Sequence, residues 1–100
     1  MRREKHFKFK WDDRKAQSNL KKNRISFEEA KSVFLDEYAR LIPDPDHSED
    51  EDRFILLGLS ERLQMLVVCY YYREDDSVIR LISARKATKH EQRMYEEQRR

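Results

Sequence analysis

Cysteine occurs once, as Cys69, glycine once and proline twice. No window approaches the roughly 18 consecutive apolar residues that a membrane-spanning helix needs. A single thiol excludes an intrachain disulfide framework and a zinc site built from several thiolates. Its alternating, apolar neighbourhood makes Cys69 a packing residue. The basic residues Arg2, Arg3 and Lys5 run into Phe7, Lys8, Phe9 and Lys10 rather than into an apolar signal region. The expected location is therefore cytoplasmic, with no membrane partner. The acidic stretch 44–52 has one histidine, His47, no second one, and no glycine for the sharp turn of a calcium loop. Neither a bound metal nor another cofactor is expected. Internal repeats, low-complexity tracts and linkers are absent as well. The 100 residues are expected to form one domain spanning 1–100, since a chain this short has no room for a second core.

Charge is abundant but unevenly placed. Charged residues make up 42% of the chain against 38% hydrophobic ones, and the formal net charge is only +2. Residues 1–24 hold ten Lys and Arg against three Asp and Glu, and residues 77–100 hold seven against three. Residues 25–76 hold five against fourteen. Two basic ends flank an acidic middle, and if the ends meet in space they form a surface for anions.

Periodicity supplies the elements. Phe7, Phe9 and Trp11 alternate with His6, Lys8 and Lys10, giving a first strand with an aromatic face and a basic face. Asp12 or Asp13 caps a short helix that carries Ala16 and Leu20 and fades at Lys22 and Asn23. Ser26 to Glu29 reads as a capping box, with Ile25 and Ala30 placed as the hydrophobic staple. Phe27, Ala30, Val33 and Phe34 then form one apolar stripe that ends near Asp36. Residues 38–42 read as a strand stopped by Pro43 and Pro45. Two strongly apolar strands, 53–59 and 63–72, are joined at Ser60, Glu61 and Arg62. After a turn at Asp75 and Asp76, residues 78–84 return as a strand, and Thr88 with Glu91 opens a basic C-terminal helix. The expectation is an α+β fold: an antiparallel sheet, two N-terminal helices packed on one face, and a C-terminal helix.

Four blocks, in order, carry a resemblance. They are Phe9-Lys10-Trp11-Asp12 with Lys15 and Asn19; Ile25-Ser26-Phe27-Glu28-Glu29-Ala30; Pro43-Asp44-Pro45-Asp46-His47-Ser48 with Glu51, Arg53 and Phe54; and Ile79-Arg80-Leu81-Ile82-Ser83-Ala84-Arg85-Lys86-Ala87. Together, over roughly residues 7–96, the chain resembles the BrnT toxins of type II toxin–antitoxin systems. The resemblance implies a RelE-like fold and a metal-independent endoribonuclease that inhibits translation. It also implies a BrnA-type antitoxin, through which the toxin reaches DNA only indirectly. Many members of that family carry a histidine at the strand position held here by Tyr70.

The chemistry such an enzyme needs is simple to state. RNA brings its own nucleophile, the 2′-hydroxyl, so the protein must accept that proton, protonate the leaving 5′ oxygen and stabilise the added negative charge at phosphorus. Arginine suits the last role because its planar fork donates two hydrogen bonds to phosphate. Arg80 faces away from Ile79 and Leu81 by alternation, so it is expected on an uncovered face as a phosphate ligand or paired with a carboxylate across the sheet. Arg85 and Lys86 end the same strand beside a helix start, a corner that attracts anions. His47 titrates near neutrality, and its carboxylate neighbours favour the charged form, better as acid than as base. Arg53 stands in the same block. Arg80, Arg85, His47 and Arg53 are therefore the catalytic candidates. Lys8, Lys10 and Lys86 are candidates for holding the RNA backbone, and Tyr70 and Tyr72 for stacking on bases. The competing reading is a non-catalytic module that binds RNA or protein on the same fold.

Overall fold

The computed structural model describes residues 7–43, 53–73 and 77–99. Nine segments follow in chain order among these described residues. They are β1 (Lys8–Lys10), α1 (Asp13–Asn23), α2 (Phe27–Ser32), a 3-10 turn (Val33–Leu35), β2 (Arg40–Ile42), β3 (Phe54–Leu59), β4 (Met65–Arg73), β5 (Val78–Lys86) and α3 (Lys89–Arg99). The acidic stretch and the turn at Asp75 and Asp76 lie outside the described residues.

Local chemistry fixes the helix ends. The Asp12 carboxylate accepts from the backbone amides of Arg14 and Lys15 at 2.8 and 3.3 Å, and Arg24 closes α1 in the left-handed conformation. Ser26 Oγ accepts from the Glu29 amide at 3.0 Å. The Glu29 carboxylate, however, does not complete the expected capping box. It is buried and accepts from Ser60 Oγ at 2.6 Å and Gln64 Nε2 at 2.8 Å, tying α2 to the β3–β4 hairpin. At α3 the box closes both ways: the Glu91 amide donates to Thr88 Oγ1 and the Thr88 amide donates to Glu91 Oε1.

The five strands form one sheet in the order β1-β5-β4-β3-β2. It is mixed, which corrects the expectation of an antiparallel sheet. β2 to β5 run antiparallel, but β1 lies parallel to β5, with Lys8, Phe9 and Lys10 opposite Val78, Ile79 and Arg80. Alternation identified β1 as a strand but says nothing of its neighbour or direction.

Both faces of the sheet carry apolar side chains. On one, Phe27 and Ala30 of α2, with Ile25 and Val33, pack on Leu56, Leu66, Val68, Tyr70, Ile79, Leu81 and Ala84, and Ala16 of α1 lies against the same cluster. On the other, Tyr95 of α3 is buried with Ile55, Leu57, Val67 and Cys69. Asn19 locks α1 to β5: its Nδ2 donates to the carbonyls of Ile25 and Ala84, both at 2.9 Å, and its Oδ1 accepts from the Ala84 amide at 3.1 Å. No helix among the described residues is long and apolar enough to cross a membrane.

Where β4 meets β5 the register shifts between Cys69 and Tyr70. Cys69 lies opposite Ser83, and Tyr70 opposite Leu81, so Ile82 is an extra residue on β5. Leu81 and Ala84 pack under α1 and α2, whereas Ile82 packs with the cluster under α3.

Candidate functional site

Residue parity, counted through that bulge, sorts the candidates. Phe9, Ile79, Tyr70 and Tyr72 belong to the cluster under α1 and α2, so Lys10, Arg80 and Tyr71 project from the opposite face. Lys10 is opposite Arg80 across β1 and β5, and Arg80 is opposite Tyr71 across β5 and β4. Directly opposed side chains in antiparallel strands start about 5 Å apart at Cβ, so Arg80 and Tyr71 are within reach of a common ligand. Arg53 precedes Phe54, the partner of Tyr70, and the alternation of β3 carried back one residue aims Arg53 to the same side as Tyr71.

The row therefore reads Lys10, Arg80 and Tyr71 across β1, β5 and β4, and then Arg53 just before β3. Lys8 follows on β1 and Arg73 on β4, flanking the row. Lys8, Lys10 and Arg73 are exposed, and Arg80, Tyr71 and Arg53 are partly exposed. None of these residues belongs to either apolar cluster. Arg80 makes no hydrogen bond or ion pair with any described residue, which leaves its fork available to a ligand. The cationic rows from the two basic ends of the sequence thus converge, because the parallel pairing of β1 with β5 brings residue 10 beside residue 80.

Arg85 does not join this group. It lies opposite Val67, on the same face but five residues further along β5, a separation of roughly 16 Å at the usual strand rise. Its guanidinium donates from both terminal nitrogens to the Glu91 carboxylate, each at 2.9 Å. That paired fork, with the Thr88 amide as a further donor, holds the Glu91 carboxyl down to about 2. Arg85 thereby anchors the start of α3. Lys86 is exposed at the end of β5, opposite Leu66. His47 lies outside the described residues.

The tyrosines fall differently from the sequence expectation. Tyr70 is 3% exposed and sits in an aromatic cluster, 4.9 Å from Phe34 and 5.6 Å from Phe54 between ring centroids. Burial, with the Tyr72 hydroxyl beside it, pushes its phenol well above the ordinary value. Tyr72 faces the same way, 6.2 Å from Phe7 and 5.4 Å from Phe54. Both are packing residues under the helices, and a base has no access to Tyr70. Tyr71, which the sequence did not single out from its neighbours, is the one of the three on the face turned away from α1 and α2. Only the positions of Arg80 and Tyr71 relative to the helices distinguish them, and that signal is not present in the local pattern.

α3 closes the other half of this face. Tyr95 donates through its hydroxyl to Asp36 Oδ2 at 2.8 Å, and burial raises its phenol to about 12. Arg40 donates to the Met94 carbonyl at 3.1 Å. The Arg99 guanidinium lies 5.5 Å from the centre of the Tyr38 ring. These contacts carry α3 over β3 towards β2 and leave the β1 side of the face clear of it.

Residues 11–91 match the sequence profile of a family described as "Ribonuclease toxin, BrnT, of type II toxin-antitoxin system". No curated protein sequence matches the chain. Among solved structures, the crystal structure of the ribonuclease toxin BrnT of Brucella abortus is similar, with a TM-score of 0.64 at 22% identity. The alignment covers 83% of this chain and 99% of that one. At that identity the likeness speaks for the fold, an α+β arrangement on a five-stranded sheet.

Proposed function

Since the chain belongs to the BrnT family of ribonuclease toxins of type II toxin–antitoxin systems, we propose that it cuts RNA on the open basic face of its sheet without a metal ion. In this reading the 2′-hydroxyl gives up its proton to solvent as it attacks the adjacent phosphorus, the 5′ oxygen leaves as a hydroxyl, and the product carries a 2′,3′-cyclic phosphate. Arg80 holds the phosphate and the charge that develops on it. Lys10 and Arg53 add positive charge from the strands on either side, and Lys8 extends the track for the RNA backbone. His47 is the proposed proton donor. The observation that carries the reading is Arg80 itself, a guanidinium without a described partner, set in a sheet and opposed by Lys10.

Arg85 and Lys86 enter differently. Their corner binds RNA backbone, while the Arg85 fork is committed to Glu91 and holds α3. Further along the same reading, cleavage blocks translation in the cytoplasm, a BrnA-type antitoxin neutralises the toxin, and the pair reaches DNA through the antitoxin. The RelE-like relationship is part of the proposal.

The test is incubation of the purified chain, free of antitoxin, with a defined RNA in excess chelator. A shortened product ending in a 2′,3′-cyclic phosphate, lost in Arg80→Ala, is the expected result. RNA that stays intact, with and without ribosomes, overturns the enzyme and leaves a binding module.

A further inference from the structure

β4 places three consecutive tyrosines at positions 70 to 72, and only the middle one escapes the aromatic core. Tyr70 and Tyr72 each touch several rings. The Tyr71 ring has no aromatic neighbour among the described residues, and its ring contact is with Arg73, whose guanidinium carbon lies 5.2 Å from the ring centre. An aromatic that buries itself in neither apolar cluster, in a row made otherwise of cations, gains little stability from its position. Its chemistry fits a ligand that is both anionic and flat.

A nucleotide in an unpaired strand has that character, with phosphate for Arg80 and Lys10 and a base whose π-face is open. In a duplex the bases stack on one another, and a flat sheet surface meets only the backbone. Resting on the ribonuclease reading above, we infer that Tyr71 is the platform on which an unpaired base stacks, so that this face takes single-stranded RNA. Arg80, directly across from Tyr71, then holds a phosphate next to the stacked base. The guanidinium of Arg73 on the ring adds charge beside the same nucleotide and a second planar surface. Tyr71 thereby sets where along the strand a phosphate comes to rest, as a positioning residue that touches substrate.

The test uses the full chain and an uncleavable probe, a single-stranded 2′-O-methyl oligonucleotide bearing 5-iodouracil, together with the same probe annealed to its complement. Irradiation is expected to cross-link the single strand to Tyr71, located by peptide mass spectrometry, and to give the same adduct position in Tyr71→Phe. Tyr71→Thr and Tyr71→Leu, both checked for an unchanged melting curve, are expected to lose the cross-link and to bind the strand about ten-fold more weakly. The duplex is expected to bind more weakly than the single strand. An adduct elsewhere, no adduct, equal affinity for strand and duplex, or unchanged affinity in the non-aromatic variants overturns the inference. Cleavage of natural RNA that persists alongside any of those results leaves the nuclease standing. Tyr71-dependent binding without cleavage of natural RNA removes the nuclease and leaves the platform.

Discussion

Arg80 and Arg85 leave β5 on the same face of the sheet although they stand five positions apart in sequence. In a regular strand they would point to opposite sides. The extra residue Ile82 restores the parity, opposing Arg80 to Tyr71 and Arg85 to Val67 while leaving Ala84 under α1. One arginine is thereby offered to a ligand, and the other meets Glu91 of α3.

The Arg85–Glu91 pair makes a pH-dependent contribution to stability. The Glu91 carboxyl is held at about 2, below its ordinary value of 4.5. Its contribution is fully present above the ordinary value and is lost as pH falls from there through about 2. Glu91→Gln is expected to cost about 1 kcal/mol at neutral pH, because the Arg85 side chain is 45% exposed and screened. Melting temperatures recorded between pH 7 and pH 2 should converge for the variant and the parent at the acid end. A gap that widens towards acid would contradict the assignment.

Arg80→Ala is expected to lower the cleavage rate by about 100-fold or more, in line with loss of a preorganised oxyanion donor, while leaving the melting curve in place. Binding of a single-stranded oligonucleotide by the same variant should show a shallower salt dependence, by about 0.7 in the slope of log K against log salt for each phosphate contact removed. Titrations at several salt concentrations measure it, and a parallel shift without a change of slope would place the phosphate elsewhere.

Gly58 sits under the 3-10 turn, and a Cβ there would come within 2.8 Å of Val33 Cγ1 and 2.9 Å of the Ala39 Cβ. Both contacts are closer than real side chains adopt, so the turn must shift. Gly58→Ala is expected to cost about 2 kcal/mol, as overpacked cores do. Urea denaturation tests it, with an unchanged midpoint as the contrary result.

Asn19 presents a different kind of vulnerability. Its amide satisfies two carbonyls and one amide of the backbone in a buried position. Asn19→Leu leaves the Ile25 carbonyl and the Ala84 amide without their partner, while Asn23 still donates to the Ala84 carbonyl at 2.9 Å, and is expected to cost about 3 kcal/mol. Hydrogen exchange at the Ala84 amide should accelerate in step. Retained protection there would contradict the role given to Asn19 Oδ1 as the acceptor for that amide.

What could be read from the sequence was local. The alternation of Phe7, Phe9 and Trp11, the Asp12 cap and the Thr88–Glu91 box each act within a few residues, and the elements stand where those signals put them. The parallel neighbour of β1 depends on a partner some 70 residues away, which no window of local pattern contains. The tyrosines were illegible for another reason. Leu66 to Tyr70 is buried on both sides of β4, so the strand has no polar face from which to count, and parity alone cannot say which tyrosine is open. Glu29 looked like a cap because Ser26 precedes it by three, but the hairpin residues Ser60 and Gln64 claim its carboxylate through tertiary contact. Arg80 was visible as an arginine in an apolar strand, whereas its companions Lys10 and Tyr71 became a group only through the register of three strands.

The pairing of β1 with β5 also governs when the basic face comes into being. Lys10 is synthesised before Arg80, and they meet only after the intervening chain has closed a loop of about 70 residues. Contacts so distant in sequence form late and slowly, and among the described residues β1 has no other strand to lean on in the meantime. A nascent chain therefore carries its first cations without their counterparts until β5 is in place. The face on which RNA would be cut exists in the finished protein and not in the growing one.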